Sequence, residues 1–250
     1  MKKVDAFWEM RNLGKTVLEI NFDENDTTDS LNILASEFET YDYLIAKVPK
    51  EKMDLIHALE DNGFRFMETQ FELLYNLNKT KEPSSFVKKT SEQSQYKKVD
   101  TFDQLSMFLS KIEEDLFITD RISLDPLFGT KIAHKRYLNW LSDALLSDTS
   151  AIYEVEVKSR DVGFFYVIEK NSTTCYGVLA SVYKKYRNSG LGLVVLESAF
   201  KYAKEAGYSK VMTRVSSNNL EALRVNINVG FECRDVHYIL RKANFPKQDV

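Results

Sequence analysis

Residues 175–207, CYGVLASVYKKYRNSGLGLVVLESAFKYAKEAG, form the stretch on which the fold assignment depends. Cys175–Val182 is a short, mostly apolar run that predicts a strand. Leu191–Ala206 has apolar residues at helical spacing and is followed by Gly207, which is typical of the end of a helix. The turn Tyr186–Gly192 joins the two and has the pattern R-x-x-G-x-G.

This turn has the properties of an anion site. Successive backbone N–H groups at the start of a helix are free to donate, and the helix dipole favours a negative charge there. Gly190 and Gly192 lack the Cβ atoms that would keep a pyrophosphate away from the backbone. Arg187, together with Lys184 and Lys185, adds positive potential. Taken alone, the motif also fits a flexible strand-to-helix connection with solvated basic residues.

The residues after this turn and its helix indicate which kind of anion site the turn belongs to. Lys210–Val215 predicts a strand, and Ser217–Ala222 reads S-N-N-L-E-A before a helix that ends at Gly230 and Phe231. Asn218 and Glu221, within this segment, also fit a capping box, which is the purely structural alternative. The order R-x-x-G-x-G, strand, N-x-x-A and helix ending in G-F resembles the GNAT superfamily of acetyl-CoA-dependent N-acetyltransferases. The resemblance covers about residues 96–242, and its specific part is residues 176–231.

The resemblance implies acetyl-CoA as co-substrate and assigns residues to it. Backbone amides of the turn would hold the CoA pyrophosphate, and the end of the preceding strand would separate from the Lys210–Val215 strand and bind the pantetheine arm. A main-chain N–H there would polarise the thioester carbonyl. A neutral amine would attack the thioester directly, without a covalent enzyme intermediate. The implied cofactor-binding residues are Ser181, Val182, Arg187, Asn188, Ser189, Gly190, Leu191, Gly192 and Asn219.

The sequence departs from the family pattern at Asn226. The family often has a tyrosine four residues after the alanine of the motif, here Ala222, and that tyrosine is thought to protonate the departing CoA thiolate. An asparagine donates a hydrogen bond but supplies no proton. Tyr183 is a substitute candidate close to the expected thioester, although an aromatic ring packed at a strand end is the alternative. The catalytic candidates are therefore Asn226 and Tyr183, and no side chain is evident as a general base or as part of a metal site.

Two further stretches bear on the acceptor. Tyr43–Thr69 and Asp120–Pro126 are similar to the auxiliary domain and the acceptor-side loop of dTDP-fucosamine acetyltransferases. This resemblance implies the amine of a nucleotide-linked amino sugar as acceptor, with Arg121 as a candidate for the phosphates or, alternatively, a surface arginine. A peptide or small-amine acceptor, and a non-catalytic CoA-binding module, are the competing hypotheses. A homodimer is compatible with each.

Strand and helix signals alternate along the chain and predict an α/β protein. We expect a GNAT-type mixed, mostly antiparallel sheet flanked by helices, behind a smaller N-terminal α/β domain. The predicted divisions are a small auxiliary domain at 1–78, a linker at 79–98 and an acetyltransferase domain at 99–243. The linker prediction depends on its six lysines and Ser/Thr/Gln-rich composition.

A weak internal repeat accompanies these divisions. Asn62-Gly63-Phe64 and Val229-Gly230-Phe231 each stand between a predicted helix and a predicted strand. Such a turn is common wherever a helix meets a strand. The second interpretation is that the N-terminal region is a reduced copy of half of the C-terminal one.

Composition limits the remaining classes. The 250 residues carry a formal net charge of −3, which argues against a dedicated nucleic-acid binder. The longest uncharged stretch, Asn171–Tyr183, is too short and polar to cross a bilayer. Asp5, Glu9 and Arg11 interrupt any apolar N-terminal segment, so we expect no signal peptide. With only two widely spaced cysteines, the expected location is the cytoplasm with reduced thiols, and one disulfide is the alternative.

Overall fold

The computed structural model describes residues 1–79 and 82–245, and ten strands and nine α-helices lie within them. The strands are β1 (Lys2–Asp5), β2 (Val17–Asn21), β3 (Tyr43–Pro49), β4 (Arg65–Asn76), β5 (Ser94–Lys98), β6 (Ser150–Val157), β7 (Arg160–Asn171), β8 (Thr174–Val182), β9 (Lys210–Ser216) and β10 (Glu232–Ala243). The helices are α1 (Glu9–Leu13), α2 (Glu37–Thr40), α3 (Met53–Asp61), α4 (Ser85–Ser91), α5 (Phe102–Leu109), α6 (Arg121–Leu124), α7 (Thr130–Ala144), α8 (Leu191–Glu205) and α9 (Leu220–Val229). Short 3-10 helices occupy Thr28–Leu34, Glu114–Phe117 and Lys184–Tyr186.

All ten strands of the described residues belong to one sheet, in the order β1-β2-β3-β10-β4-β9-β8-β7-β6-β5. Only the pairs β2–β3 and β8–β9 are parallel, and the other neighbours are antiparallel. Helices α3 and α8 pack on one face, and α5, α6 and α7 pack on the other. The predicted α/β class, with a mixed and mostly antiparallel sheet between helices, is confirmed.

The two halves of the chain repeat one topology. In the first half, β2 runs parallel to β3, and α3 and β4 follow; in the second, β8 runs parallel to β9, and α9 and β10 follow. Strand β10 lies between β3 and β4, while β4 lies between β10 and β9. Each half therefore gives its last strand to the sheet of the other.

The strand registers repeat as well. Tyr43–Pro49 pairs with Ala243–His237, and Lys210–Ser216 pairs with Asn76–Gln70, so that equivalent residues lie 167 positions apart. Gln70 and His237 are equivalent and face each other across β4 and β10, which places a pseudo-twofold axis between them. This agreement in register supports the interpretation of the N-terminal region as a reduced copy.

The predicted linker, 79–98, contains regular structure. Helix α4 packs beside α8, and β5 pairs with β6 at the edge of the sheet. The Tyr96 ring contacts the rings of Tyr153, Phe165 and Tyr202, and Val87 is buried. Tyr96 and Val87 therefore pack segment 79–98 against the rest of the protein, although its many lysines had indicated a solvated linker. Thr80 and Lys81 lie outside the described residues, and the division into units at 1–78 and 99–243 stays a prediction.

Two further features concern the expected environment of the protein. Cys175, on β8, and Cys233, on β10, are both free thiols, so the disulfide alternative is wrong for this structure. Cys175 is buried whereas Cys233 is exposed. Among the helices of the described residues, none combines the length and apolar character that a membrane crossing requires.

Candidate cofactor and acceptor site

A gap opens between the parallel strands β8 and β9. Their pairing runs from Thr174 opposite Lys210 to Gly177 opposite Thr213 and ends there. The next residue, Val178, is a β-bulge, because Gly177 and Leu179 face consecutive residues of β7. A bulge bends its strand and increases the local twist, so β8 turns away from β9 beyond this point. The end of β8 separates from β9, as the family resemblance implied.

Backbone groups of β8 line this gap. The Tyr183 N–H donates to the Val162 carbonyl at 2.9 Å. Because residues of an antiparallel strand alternate between facing the partner and facing away from it, the N–H groups of Val182 and Ala180 point away from β7 into the gap. The Ser181 N–H points towards β7 by the same alternation. Ala180 is a functional candidate that sequence reasoning missed, since a bulge leaves no readable pattern.

The glycine-rich turn presents free donors at the start of α8. Asn188 and Gly190 have positive φ values of 60° and 79°. Within residues 1–79 and 82–245, no acceptor bonds the N–H groups of Asn188, Gly190 or Gly192. Ser189 Oγ accepts from the Leu191 N–H at 3.3 Å. Three unpaired amides next to the positive end of a 15-residue helix form a site for a phosphate group.

The fold does not require glycine at position 192. A Cβ built on Gly192 meets no atom within 4 Å, and the residue has ordinary helical φ. By contrast, Gly190 needs its positive φ, and a Cβ there would lie 3.1 Å from the Phe86 ring. Glycine near a helix start costs stability relative to alanine. The missing side chain at Gly192 leaves open space beside the turn that holds the unpaired amides.

The Arg187 side chain is already paired. Its guanidinium donates to both carboxylate oxygens of Asp115, at 3.0 and 2.9 Å, and holds the pKa of that carboxyl below its usual value. Lys184 lies 3.2 Å from Glu113 and from Asp115. These ion pairs fasten the Glu114–Phe117 helix to the turn. They also compensate the positive potential that we expected from Arg187 and Lys184, which leaves the amides as the main attraction for an anion.

Tyr183 is buried beside a carboxylate. Its hydroxyl donates a short hydrogen bond to Glu154, which also accepts from Lys111 at 2.8 Å. Burial first, and the neighbouring Glu154 second, raise the pKa of Tyr183 far above its usual value. A phenol in this setting holds its proton firmly, so donation to a thiolate would require breaking the bond to Glu154.

Asn219 and Asn226 each form a side-chain hydrogen bond with the backbone of α9. Asn219 is the N-cap, with its Oδ1 accepting from the Ala222 N–H at 3.1 Å, so the cap lies one residue after the predicted Asn218–Glu221 box. Asn226 donates through Nδ2 to the Ala222 carbonyl at 2.8 Å. Both are partly buried, and Asn219 lies three residues after the end of β9, beside the gap.

Arg121 lies between two carboxylates rather than on the surface. Its guanidinium is 3.9 Å from Glu19 and 3.9 Å from Glu68, and its Nε is buried without a partner in the described chain. Burial opposes its charge, but Glu68, Asp120 and Glu19 outweigh that effect and raise the pKa. The surface-arginine alternative is therefore wrong, and much of the charge that we expected to bind phosphates is compensated.

Glu68 is the second functional candidate that sequence reasoning missed. Its side chain is only 3% exposed, and Ser216 Oγ donates to it at 2.5 Å. Burial raises the pKa of Glu68 despite the opposing Arg121. The residue belongs to β4, in the predicted auxiliary unit, and reaches the end of β9 only because the halves exchange strands. No sequence signal for that exchange was available.

Comparison with known proteins agrees with this geometry. Residues 120–231 match the acetyltransferase (GNAT) family model. No curated protein matches the chain in sequence. A conserved protein of unknown function from Staphylococcus epidermidis superposes with a TM-score of 0.64 at 15% identity, covering 92% of this chain and 85% of that one.

Two GCN5-related N-acetyltransferases share the fold. The protein from Kribbella flavida has a TM-score of 0.58 and 13% identity, covering 92% of this chain and 82% of that one. The protein from Sphaerobacter thermophilus has a TM-score of 0.59 and 14% identity, covering 83% of this chain and 62% of that one. Residues 120–231 thus carry the sequence pattern of the acetyltransferase (GNAT) family, in a chain that has the GNAT fold.

Proposed function

We propose that this protein is an N-acetyltransferase that moves the acetyl group of acetyl-CoA to a primary amine. The observation that carries the proposal is the unpaired amides of Asn188, Gly190 and Gly192, in a turn where Gly192 is a glycine that the fold does not need. They stand beside the gap between β8 and β9. Acetyl-CoA would supply the acetyl group as an activated thioester.

Each part of the site has a role in this proposal. The turn Arg187–Gly192 binds the pyrophosphate through its backbone, and Arg187 orders the turn through Asp115. The Val182 and Ala180 amides bind the pantetheine arm and polarise the thioester carbonyl, with Ser181 holding β8 against β7. Asn219 keeps the start of α9 in place beside the cofactor arm.

The thiolate can leave without a strong protein acid. An alkyl thiol has a pKa of about 8.5, so its anion is a tolerable leaving group near neutral pH. Asn226 offers at most a hydrogen bond, since its amide is bonded within α9. Tyr183 remains a candidate acid, and a single substitution described below tests it.

The acceptor in this proposal is a small primary amine. A nucleotide-linked amino sugar and a homodimer are predictions that rest on the subgroup resemblance alone. The mostly compensated charge of Arg121 gives a sugar-nucleotide phosphate little to bind at that residue.

Isothermal titration with acetyl-CoA tests the cofactor part of the proposal. We expect one site per chain, and we expect Gly192→Ala to weaken binding at least about tenfold, because a methyl group would stand between the amides and the phosphates. Gly63→Ala, remote from the turn, is the matched control and should bind normally. Absence of binding by the folded wild type would contradict the proposal. Binding without CoA thiol release across a panel of primary amines would favour the non-catalytic module.

A further inference from the structure

A polar strip crosses the middle of the sheet on the face that carries α5, α6 and α7. Register places Lys47 opposite Ile239 and Ile239 opposite Glu68 across β3, β10 and β4. The neighbouring rows bring Asp235, Glu72 and Arg214 to the same face. We call this strip the central groove, defined by Lys47, Glu68, Glu72, Arg214, Asp235 and His237.

The central groove reaches the cofactor gap. Ser216, at the end of β9, donates to Glu68, and β8 has already turned away from β9 at this level. In open α/β sheets, ligands bind beyond the carboxyl ends of parallel strands. Both halves of the chain build the groove, since Lys47 and Glu68 come from the first and Arg214 and His237 from the second.

Most charges in the groove are already paired. Glu72 accepts from Arg214 at 3.1 Å, and Asp235 lies 3.4 Å from His237. Within the described residues, the Lys47 ammonium group has neither a hydrogen-bond acceptor nor a carboxylate within 4.0 Å, although the side chain is half-buried. Burial, with nearby Arg214, lowers the pKa of Lys47 to about 8. The groove thus contains one ammonium group without a direct ion-pair partner, and Glu72 and Asp235 act on it only from a distance.

Glu68 is joined to the carboxyl end of β9, beside the gap, through Ser216. Lys47 is two strands away from it, which corresponds to about 10 Å between backbones. A ligand amine at Glu68 would stand next to the thioester, whereas Lys47 would meet another part of the same molecule. The Nδ1 atom of His237, buried and without a partner in the described chain, belongs to the same face of β10, the strand between β3 and β4.

We propose that the central groove binds an acceptor that carries an anionic group, a carboxylate or a phosphate, as well as its amine. This inference rests on the proposed acetyltransferase activity and deepens it. Glu68 receives the ammonium group and takes one proton from it, and Lys47 pairs with the anion. The neutral nitrogen then attacks the thioester carbonyl carbon. A C–N bond forms, the C–S bond breaks, and the second proton released by the nitrogen ends on the CoA thiolate.

Calorimetric binding of matched probes without acetyl-CoA tests the inference. The pairs are 6-aminohexanoate against hexylamine for a carboxylate, and glucosamine 6-phosphate against glucosamine for a phosphate. We expect the anionic member of at least one pair to bind about tenfold tighter or more, the size of a charge-assisted hydrogen bond. The pair that shows the preference identifies the anion.

Substitutions locate that preference. Lys47→Met should abolish it, Lys47→Arg should retain it, and Lys201→Met on the exposed face of α8 should leave it unchanged. Glu68→Gln should weaken both members of a pair and slow acetylation more than it raises KM. Equal binding within both pairs, or a preference that survives Lys47→Met, would overturn the inference.

The same preparations separate this inference from the proposed function. If acetyl-CoA binds but the probes show no preference, the anion-bearing acceptor alone is wrong. If acetyl-CoA does not bind, the acetyltransferase proposal fails, and the inference fails with it.

Discussion

The strand pairs β2–β3 and β8–β9 occupy equivalent places in the two halves, but only β8–β9 separates to leave a gap between its strands. All of β2 pairs with β3, from Val17 opposite Tyr43 to Asn21 opposite Lys47. Strand β8 leaves β9 at the Val178 bulge. One topology therefore gives a closed pair in the first half and an open pair in the second.

The turns that follow β2 and β8 differ in their charge and in their free backbone amides. After β2 the chain reads Asp23-Glu24-Asn25-Asp26, and the N-terminal ammonium group lies 2.5 Å from Asp23 and 2.8 Å from Asp26. Such an acidic turn repels phosphate. After β8 the turn is basic and glycine-rich, with unpaired amides. In the proposed function, a bulge and a turn, rather than the fold, determine which half binds the cofactor.

The helices after the parallel pairs complete the comparison. Leu59 of α3 and Asn226 of α9 are equivalent, 167 positions apart. Leu59 is fully buried among apolar residues, whereas α9 has no buried residue. The closed half buries this helix in its core, whereas α9 in the open half only contributes partly buried residues such as Leu223.

The largest expected effect is on stability in the closed half. Leu59→Ala should lower the free energy of unfolding by about 3 kcal/mol, because it leaves a cavity at a fully buried site. Asn226→Ala should change it by less than about 1 kcal/mol. Urea unfolding of both variants measures the difference. Equal losses in the free energy of unfolding would show that α3 and α9 contribute equally to stability.

Gly192→Ala should separate binding from stability in the open half. Alanine fits the empty space there and should raise the free energy of unfolding by about 0.5 kcal/mol, while acetyl-CoA affinity falls. Gly63→Ala should lower it by about 1 kcal/mol, because φ is +84° there, and leave affinity unchanged. If Gly192→Ala lost stability, the glycine would have a structural role and the ligand argument would fail.

The substitution Tyr183→Phe tests whether the Tyr183 phenol protonates the departing CoA thiolate. Because the hydroxyl is held by Glu154 and its pKa is raised, we expect acetyl transfer to fall by less than about tenfold, with an unchanged pH profile between pH 6 and 9. A loss of about a hundredfold or more in kcat would instead establish Tyr183 as the acid.

The smallest expected effect concerns the ion pair that fastens the glycine-rich turn. Arg187 holds the pKa of Asp115 below its usual value, so this contribution to stability is complete above that value and is lost as the pH falls through the lowered pKa. Asp115→Asn should cost less than about 1 kcal/mol at pH 7, since the pair is partly exposed. Thermal unfolding should show that difference at pH 7 and none near pH 2. A difference that persisted in acid would assign the effect to something other than the ion pair.

Elements of secondary structure could be predicted from the sequence where they depend on residues that are neighbours in the chain. The strand–turn–helix at Cys175–Ala206 and the Gly63 and Gly230 helix ends depend on neighbouring residues, and these elements could be predicted. The central groove could not, because Glu68 and Ser216 meet only through the exchange of β4 and β10. The prediction of a linker at 79–98 missed α4 and β5, because the average composition of a polar segment does not reveal a few buried residues such as Tyr96.

A crystal structure of the protein with acetyl-CoA tests the central comparison most directly. We expect the pyrophosphate on the amides of Asn188, Gly190 and Gly192, the pantetheine arm between β8 and β9, and no ligand at β2–β3. Acetyl-CoA bound at the first half, or a turn at Arg187–Gly192 that stays empty at saturating concentration, would contradict it.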